Sequence, residues 1–473
     1  MYIIMHEKLK EKPALIILQE WLSDYINYEY TSKKGQFSLD SIIALTERFG
    51  NPQNNFRSLH IAGSKGKGSV AAMTADIFTA MGLKTGLYTS PHIMEFSERV
   101  RGADGPFPEE IYERVVQEII PLTESIIPSA FPGGNPSWFE LVTLFCFLVF
   151  TAAGVEWGVF ETGLGGRFDA TNVLLPAASV ITAIELEHTE YLGDTLEQIA
   201  FEKAGIIKPG VPVCIAAQPD NVREVFIRRS RELNAPLLFI DDILKDSSFT
   251  MTPEGMDIRL DFGTTGLFKR PLETRLRFSG RIQVQNAALA AAAIKTIRPE
   301  ADEAVIEAGL SRALLPGRFE ILSAAESGYG VPVVLDGAHT AGSIALTAET
   351  FFSLWEPPGH LLFACAADKD VNAIARSFSR GFSRITLTIP GSHKKADIGK
   401  AAEAFRDAMP GNKGDLHVMP DFNEAIPAAF EQARAAGSPL LVAGSFYLVA
   451  EVRKLLFHTA PVPSGQNGDS LFR

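Results

Sequence analysis

His60-Ile61-Ala62-Gly63-Ser64-Lys65-Gly66-Lys67-Gly68-Ser69 decides how the chain is read. Ser58 to Ala62 reads as a short buried strand, and Val70, Met73, Ile77, Phe78 and Met81 then recur at helical spacing up to the stop signal of Gly82. The glycines between them, Gly63, Gly66 and Gly68, let backbone N–H groups point into a concavity, and the helix N-terminus adds partial positive charge. Phosphate suits such a place, with Lys67 neutralising the outer phosphates of a nucleotide. The stretch is not a full Walker A pattern: Ile61 stands where the first glycine would be, Gly68 follows the lysine, and the next hydroxyl is Ser69.

Leu87-Tyr88-Thr89 is the next expected strand, which completes a strand, loop, helix, strand unit of a parallel sheet. Further buried strands are expected at Gly158 to Phe160, Val180 to Ile184 and Pro212 to Ile215. The alternation from Met256 to Phe262 differs in kind and predicts a half-exposed antiparallel strand, a small β appendage. An alanine-rich helix follows at about 285–297. Strand and helix alternate again after Leu315-Pro316-Gly317, with strands expected at Val331 to Leu335, Leu361 to Ala364, Ile385 to Leu387 and Leu440 to Ala443. That restart sets a domain boundary near Leu314, giving domains 1–313 and 314–473 in an α/β protein. The last dozen or so residues, with Pro461, Pro463, Ser464 and Gly465, read as a tail.

The 473 residues are 46% hydrophobic and 21% charged, ordinary for a globular protein. A formal charge of -12 argues against general affinity for nucleic acid or anionic membrane, so an anionic substrate needs local cations such as those of the glycine loop. Cys146, Cys214 and Cys365 lie far apart in apolar stretches and read as reduced core residues. Met1 to Met5 is too short for a signal-peptide core. The longest apolar run, Leu141 to Gly154, has 14 residues, short of the ~20 that span a bilayer. A buried helix is expected there, and a cytoplasmic monomer overall.

Glu161 ends the strand at Gly158 to Phe160 and precedes Gly163, Gly165 and Gly166, while His188 lies just beyond the strand ending at Ile184. Ligands of an open α/β sheet bind beyond the carboxyl ends of its strands. The glycine loop, Ser90, Glu161 and His188 therefore converge on one edge. A hydroxyl, a carboxylate, an imidazole and phosphate oxygens suit a Mg²⁺ shell. A hydrogen-bonded surface histidine is the other reading of His188.

These residues resemble the folylpolyglutamate synthase and dihydrofolate synthase family of the wider Mur ligase group. The resemblance rests on His60 to Ser69, Tyr88 to His92, Glu161 to Asn172, His188 to Thr195 and Glu202 to Gly210. Pro316 to Glu320, Asp336 to His339, Asp368 to Asp370 and Gly444-Ser445 carry it through the second half. Matches run in order from about Leu39 to Arg453. The resemblance implies a parallel-sheet P-loop ATPase domain with the β appendage, then a Rossmann-like C-terminal domain. It implies ATP held by Gly66 to Ser69, by Asn286, and by Arg318 and Asp336 of the second domain. Two Mg²⁺ ions are implied, one on Ser90, Glu161 and His188, with Lys203 carried as a carbamate whose two oxygens reach a second ion or its waters. The implied reaction activates a folate or dihydropteroate carboxylate as an acyl phosphate and joins it to L-glutamate. His339 either helps place the phosphate or the amino acid, or is a structural histidine.

Several positions depart from the family pattern. Ser64-Lys65 replaces Thr-Asn and adds a charge, Glu187 replaces an aspartate, Thr340-Ala341 replaces Asn-Pro, and Ile282 replaces a histidine. The Leu-Gly-Leu stretch tied to pterin binding is only approximated by Gln36 to Leu39. The ATP and Mg²⁺ set is intact, so the departures bear on the acceptor. A ligase for a different carboxylate and amino acid, or a nucleotide-binding protein without catalysis, are the rival readings. Joint retention of Lys67, Glu161, His188, Lys203, Arg318 and Asp336 weighs against the second.

Overall fold

The computed structural model describes residues 11–28, 38–126, 135–378, 381–392, 395–409 and 416–458. Gln36, Phe37 and the expected tail lie outside them. Described residues within Met1–Ser247, Arg259–Thr274 and Gln285–Ala313 form one compact unit, and those within Ser248–Ile258, Arg275–Val284 and Leu314–Arg473 a second.

The first unit is built on strands β1 (Arg57–Ala62), β2 (Thr85–Tyr88), β3 (Val100–Gly102), β4 (Trp157–Glu161), β5 (Ala178–Ile181), β6 (Val213–Ile215) and β7 (Leu237–Phe239), in the order β3-β2-β4-β1-β5-β6-β7. Pairing is parallel except at the β2–β3 edge. Buried parallel strands must be apolar on both faces, and β2, β4, β5 and β6 are buried at every position. The glycine loop opens helix α1 (Lys67–Ala80).

The 14-residue apolar run lies in helix α2 (Trp138–Ala153), started by a Ser137/Glu140 capping box and stopped by Gly154 at φ 67°. Gly86 and Gly158 are register partners on β2 and β4. A Cβ on either would come within 2.6 or 3.2 Å of the Phe150 ring, so two glycines let α2 lie close on the sheet.

One expected strand is shorter than read. Val180 to Ile184 stops at Ile181, because the Ala183 carbonyl turns to accept Ser64 N–H at 2.8 Å and Lys65 N–H at 3.3 Å. The strand's end thus becomes a strut for the glycine loop. β8 (Asp246–Thr252), β9 (Gly255–Asp261) and β10 (Leu272–Leu276) make a separate three-stranded sheet, and β9 alternates buried Met256, Ile258 and Leu260 with more exposed polar neighbours.

In the second unit β11 (Glu320–Leu322), β12 (Val333–Leu335), β13 (Gly359–Phe363), β14 (Phe382–Leu387), β15 (Leu416–Val418) and β16 (Leu440–Ala443) follow the order β11-β12-β16-β13-β14-β15. Only β11 runs antiparallel. Both halves are therefore α/β folds on mainly parallel sheets, each with one antiparallel edge strand. Among the described residues no helix is long and apolar enough to cross a membrane. The three cysteines are free and buried.

Candidate active site

The glycine loop joins β1 to α1 at the carboxyl edge of the sheet. Gly66 caps α1 at φ 89°, and a Cβ there would sit 2.5 Å from Oδ1 of Asn286, a buried residue of helix α4 (Ile282–Ile297). Gly63 is tighter still: a Cβ would lie 1.8 Å from Thr182 Oγ1. Ser64 Oγ donates to the Glu185 carbonyl at 3.1 Å, which with the bonds to Ala183 fixes the loop to residues 183–185. Gly68 and Ser69 occupy the first turn of α1 and are buried.

Two lysines meet behind this loop. Lys67 Nζ donates to the Gly63 carbonyl at 3.0 Å. Lys203, which ends helix α3 (Leu196–Lys203) and is 1% exposed, donates to the same carbonyl at 2.7 Å and to Glu187 Oε1 at 2.9 Å. Burial opposes ionisation of Glu187, but the charges of Lys67 and Lys203, the Lys203 hydrogen bond and Lys65 outweigh it and hold the carboxyl down at about 2. For Lys203 the balance is reversed: burial lowers the ammonium to about 8, with Glu187 and, less strongly, Asp169 opposing and Lys67 repelling it. The asymmetry follows from one anion facing three cations.

Glu161 is buried at the end of β4 and accepts Ser90 N–H at Oε2, 3.1 Å away. His188 precedes the short helix Thr189–Leu192 at φ 47°. Among the described residues no three His, Cys, Asp or Glu side chains gather as a metal cluster. Asp169 is buried and accepts Gly163 N–H, Leu164 N–H and Thr171 N–H, which shapes the loop after Glu161; burial raises its carboxyl. His60, part of the deciding stretch, is a core histidine: Nε2 lies 2.7 Å from Thr171 Oγ1, and burial lowers the ring to about 3.

The second unit gathers its own group. Asp336 follows β12, accepts Ala338 N–H at 2.6 Å and is raised to about 6 by burial against the opposing charge of Arg318. The Arg318 guanidinium lies over the Phe446 ring at 4.4 Å, and His339 meets the same ring edge-on at 6.2 Å. His339 Nδ1–H donates to the Gly337 carbonyl at 2.8 Å. Gly337 leaves the space that Phe446 fills: a Cβ would be 2.1 Å from that ring.

Sequence reasoning missed Glu187 as the partner of Lys203, Thr182 as the wall behind Gly63, and Phe446 as the platform of the second group. Phe446 directly follows the quoted Gly444-Ser445, and Glu187 was visible only as a departure from pattern.

Two domain models match the chain: the Mur ligase middle domain over residues 135–294 and the Mur ligase glutamate ligase domain over residues 317–446. With a glycine loop that joins a strand of one parallel sheet to a helix, and a second α/β unit carrying Arg318 near Asp336, they define an ATP-dependent ligase of the Mur type. The dihydrofolate synthase/folylpolyglutamate synthase of Bacillus subtilis is 30% identical over 422 residues, covering 87% of this chain and 93% of that protein. The crystal structure of Mycobacterium tuberculosis folylpolyglutamate synthase complexed with ADP and AMPPCP matches with a TM-score of 0.82 at 27% identity, covering 94% of this chain and 98% of that one. The chain belongs to the folylpolyglutamate synthase/dihydrofolate synthase family. A probable bifunctional folylpolyglutamate synthase/dihydropteroate synthase of Haloferax volcanii is 31% identical over 429 residues, 88% of this chain, and the chain spans 48% of that longer protein.

Proposed function

We propose that the chain is a folylpolyglutamate synthase, which joins L-glutamate to a reduced folate at the expense of ATP, with dihydropteroate a poor acceptor. The observation that carries this reading is the meeting of Lys67 and Lys203 on the Gly63 carbonyl, at 3.0 and 2.7 Å, in a chain of this family. The Lys67 ammonium on the glycine loop supplies positive charge that an anion attacking an anion requires, and Lys203 Nζ is held beside it on the same carbonyl. The N–H groups of Gly66 to Ser69 and the Lys67 ammonium hold the phosphates of ATP, and Asn286 walls the loop. The folate carboxylate displaces ADP from the γ-phosphorus, giving an acyl phosphate; the glutamate amine then attacks the acyl carbon, phosphate leaves, and the amine gives up a proton. Arg318, Asp336 and His339 serve the nucleotide or the incoming amino acid, and the chain's two domains are taken as residues 1–313 and 314–473.

Glu161 and Ser90 offer the hard oxygen donors that Mg²⁺ prefers, and the buried Glu161 carboxylate accepting Ser90 N–H at 3.1 Å fits such an ion. With His188 they would hold it, and it would neutralise phosphate charge there. Carbamylation of Lys203 belongs to the same proposal, as do a second ion, a monomeric state and a cytoplasmic location. A carbamate would place an anion beside Glu187, so Glu187 has to turn away or share a cation with it. ATP turnover that depends on both an added folate and added glutamate supports this function. Turnover without either acceptor favours a binding protein that lacks the ligation.

A further inference from the structure

The loop after β4 and the end of α3 are laced together. Arg167 forks onto Glu202, Nη2 to Oε1 at 2.6 Å and Nε to Oε2 at 3.1 Å, and Arg167 N–H donates to the Glu202 carbonyl at 2.8 Å. Asn172 Nδ2 donates both to the Arg167 carbonyl at 2.9 Å and to the Gly205 carbonyl at 3.1 Å. The two segments also approach closely: a Cβ on Gly205 would be 2.3 Å from Arg167 Cα, and one on Gly166 would be 3.0 Å from the Lys203 carbonyl.

A half-exposed ion pair by itself contributes little. Here the Arg167 guanidinium also lies over two rings, Phe168 at 4.4 Å and Phe201 at 4.9 Å. Those rings are 40% and 46% exposed, which is unusual for phenylalanine. Their position has a physical reason in this stack: they shed water from the fork and limit the rotamers of the arginine. The residue after Glu202 is Lys203, whose reach to Gly63 depends on where the last turn of α3 ends.

We propose that Arg167 is a positioning residue for Lys203: its fork with Glu202, flanked by Phe168 and Phe201, sets the end of α3 so that Lys203 Nζ meets the Gly63 carbonyl. This rests on the role given to Lys203 above. Helix ends fray, and a shift of about 1 Å is enough to cost on the order of a hundredfold in rate.

The test is steady-state ligation of glutamate to a reduced folate by purified full-length variants, with Tm measured alongside. Arg167→Gln lowers kcat on the order of a hundredfold while KM for ATP stays within about twofold. The exchange Arg167→Glu/Glu202→Arg restores about tenfold or more of that loss. Phe168→Ala/Phe201→Ala strips the stack but keeps the ion pair; its smaller loss of kcat at unchanged KM keeps the proposal testable should Arg167→Gln not fold. Wild-type kcat in a folded Arg167→Gln overturns the proposal, and where that variant does not fold, wild-type kcat in the double alanine variant does so. So does a loss of kcat matched by a fall in Tm and a rise in KM for ATP, which marks a structural role. Lys203→Ala separates the two levels: if it is fully active the role of Lys203 fails as well, whereas an inactive Lys203→Ala beside a fully active Arg167→Gln sinks the positioning role alone.

Discussion

Lys67 and Lys203, 136 positions apart in the sequence, donate to one atom, the carbonyl oxygen of Gly63, at 3.0 and 2.7 Å. With both lysines as ammonium groups the carbonyl and Glu187 leave the loop an excess of positive charge, and a carbamate on Lys203 leaves Lys67 as the cation of the pair. In either state the Lys67 charge suits a triphosphate and a developing acyl phosphate.

Lys67→Ala lowers ligation by about 10²–10³-fold, because a charge on the transferring phosphoryl group is lost. Its far-ultraviolet spectrum and Tm stay near those of the parent. Near-normal kcat in this variant removes the phosphate-loop assignment.

Glu187→Ala leaves the 1%-exposed Lys203 ammonium without its carboxylate. Breaking such a pair from one side costs about 3 kcal/mol or more, read from urea unfolding at neutral pH. The pH dependence has a definite sign. Glu187 is held at about 2 against a usual 4.5, so the unfolded chain takes up the proton first as pH falls. The contribution, about 3 kcal/mol, is complete above pH 4.5 and is lost between about 4.5 and 2. Glu187→Ala therefore shows a shallower loss of stability over that interval than the parent. Parallel curves for the two proteins count against the pair.

Gly66→Ala strains a backbone at φ 89° and drives a methyl group to within 2.5 Å of Asn286 Oδ1. The expected outcome is about 1–2 kcal/mol of lost stability and a roughly tenfold weaker ATP affinity by calorimetry. In an Asn286→Ala background the clash is gone but the strain remains, so the same substitution costs only about 1 kcal/mol. An equal cost in both backgrounds would show that Asn286 does not wall the loop.

Lys203→Ala is inactive and partly rescued by a small added carboxylate, whereas Lys203→Arg is not. Intact-mass measurement in bicarbonate shows the mass of one carbamate on the parent and none on either variant. Full activity under bicarbonate depletion, with no added mass, contradicts the carbamate and leaves Lys203 as the ammonium that pairs with Glu187.

The fold was legible where local pattern and tertiary role agree. The apolar runs that became β4 and β16, and the capped run in α2, carry their own strand or helix signal. Short edge pieces such as β3, β7 and β15 have three residues each and are defined by their neighbours, so no window of sequence isolates them. The site shows the same division. The glycines, Lys67 and Glu161 were singled out by motif and spacing, and Lys203 by the family resemblance alone. Thr182 behind Gly63, Glu187 against Lys203 and Phe446 beneath Arg318 act only through close approach, which spacing along the chain does not encode.

The central claim is that this ligase extends a folate with glutamate, and the acceptor decides it. Both folate reactions use one ATP apparatus, but dihydropteroate must place its pterin deep enough for the benzoate carboxylate to reach the γ-phosphate. A folate to be extended offers a flexible glutamate carboxylate and needs less of the pterin pocket. The stretch from Gln36 to Leu39 approximates the pterin-binding pattern poorly, while the catalytic motifs match well. The direct measurement supplies reduced folate and dihydropteroate separately, each with ATP, Mg²⁺ and labelled glutamate. Transfer to reduced folate is expected to be efficient, with a kcat/KM for dihydropteroate at least about tenfold lower. Comparable values for the two acceptors contradict the preference, and transfer to neither contradicts the claim itself.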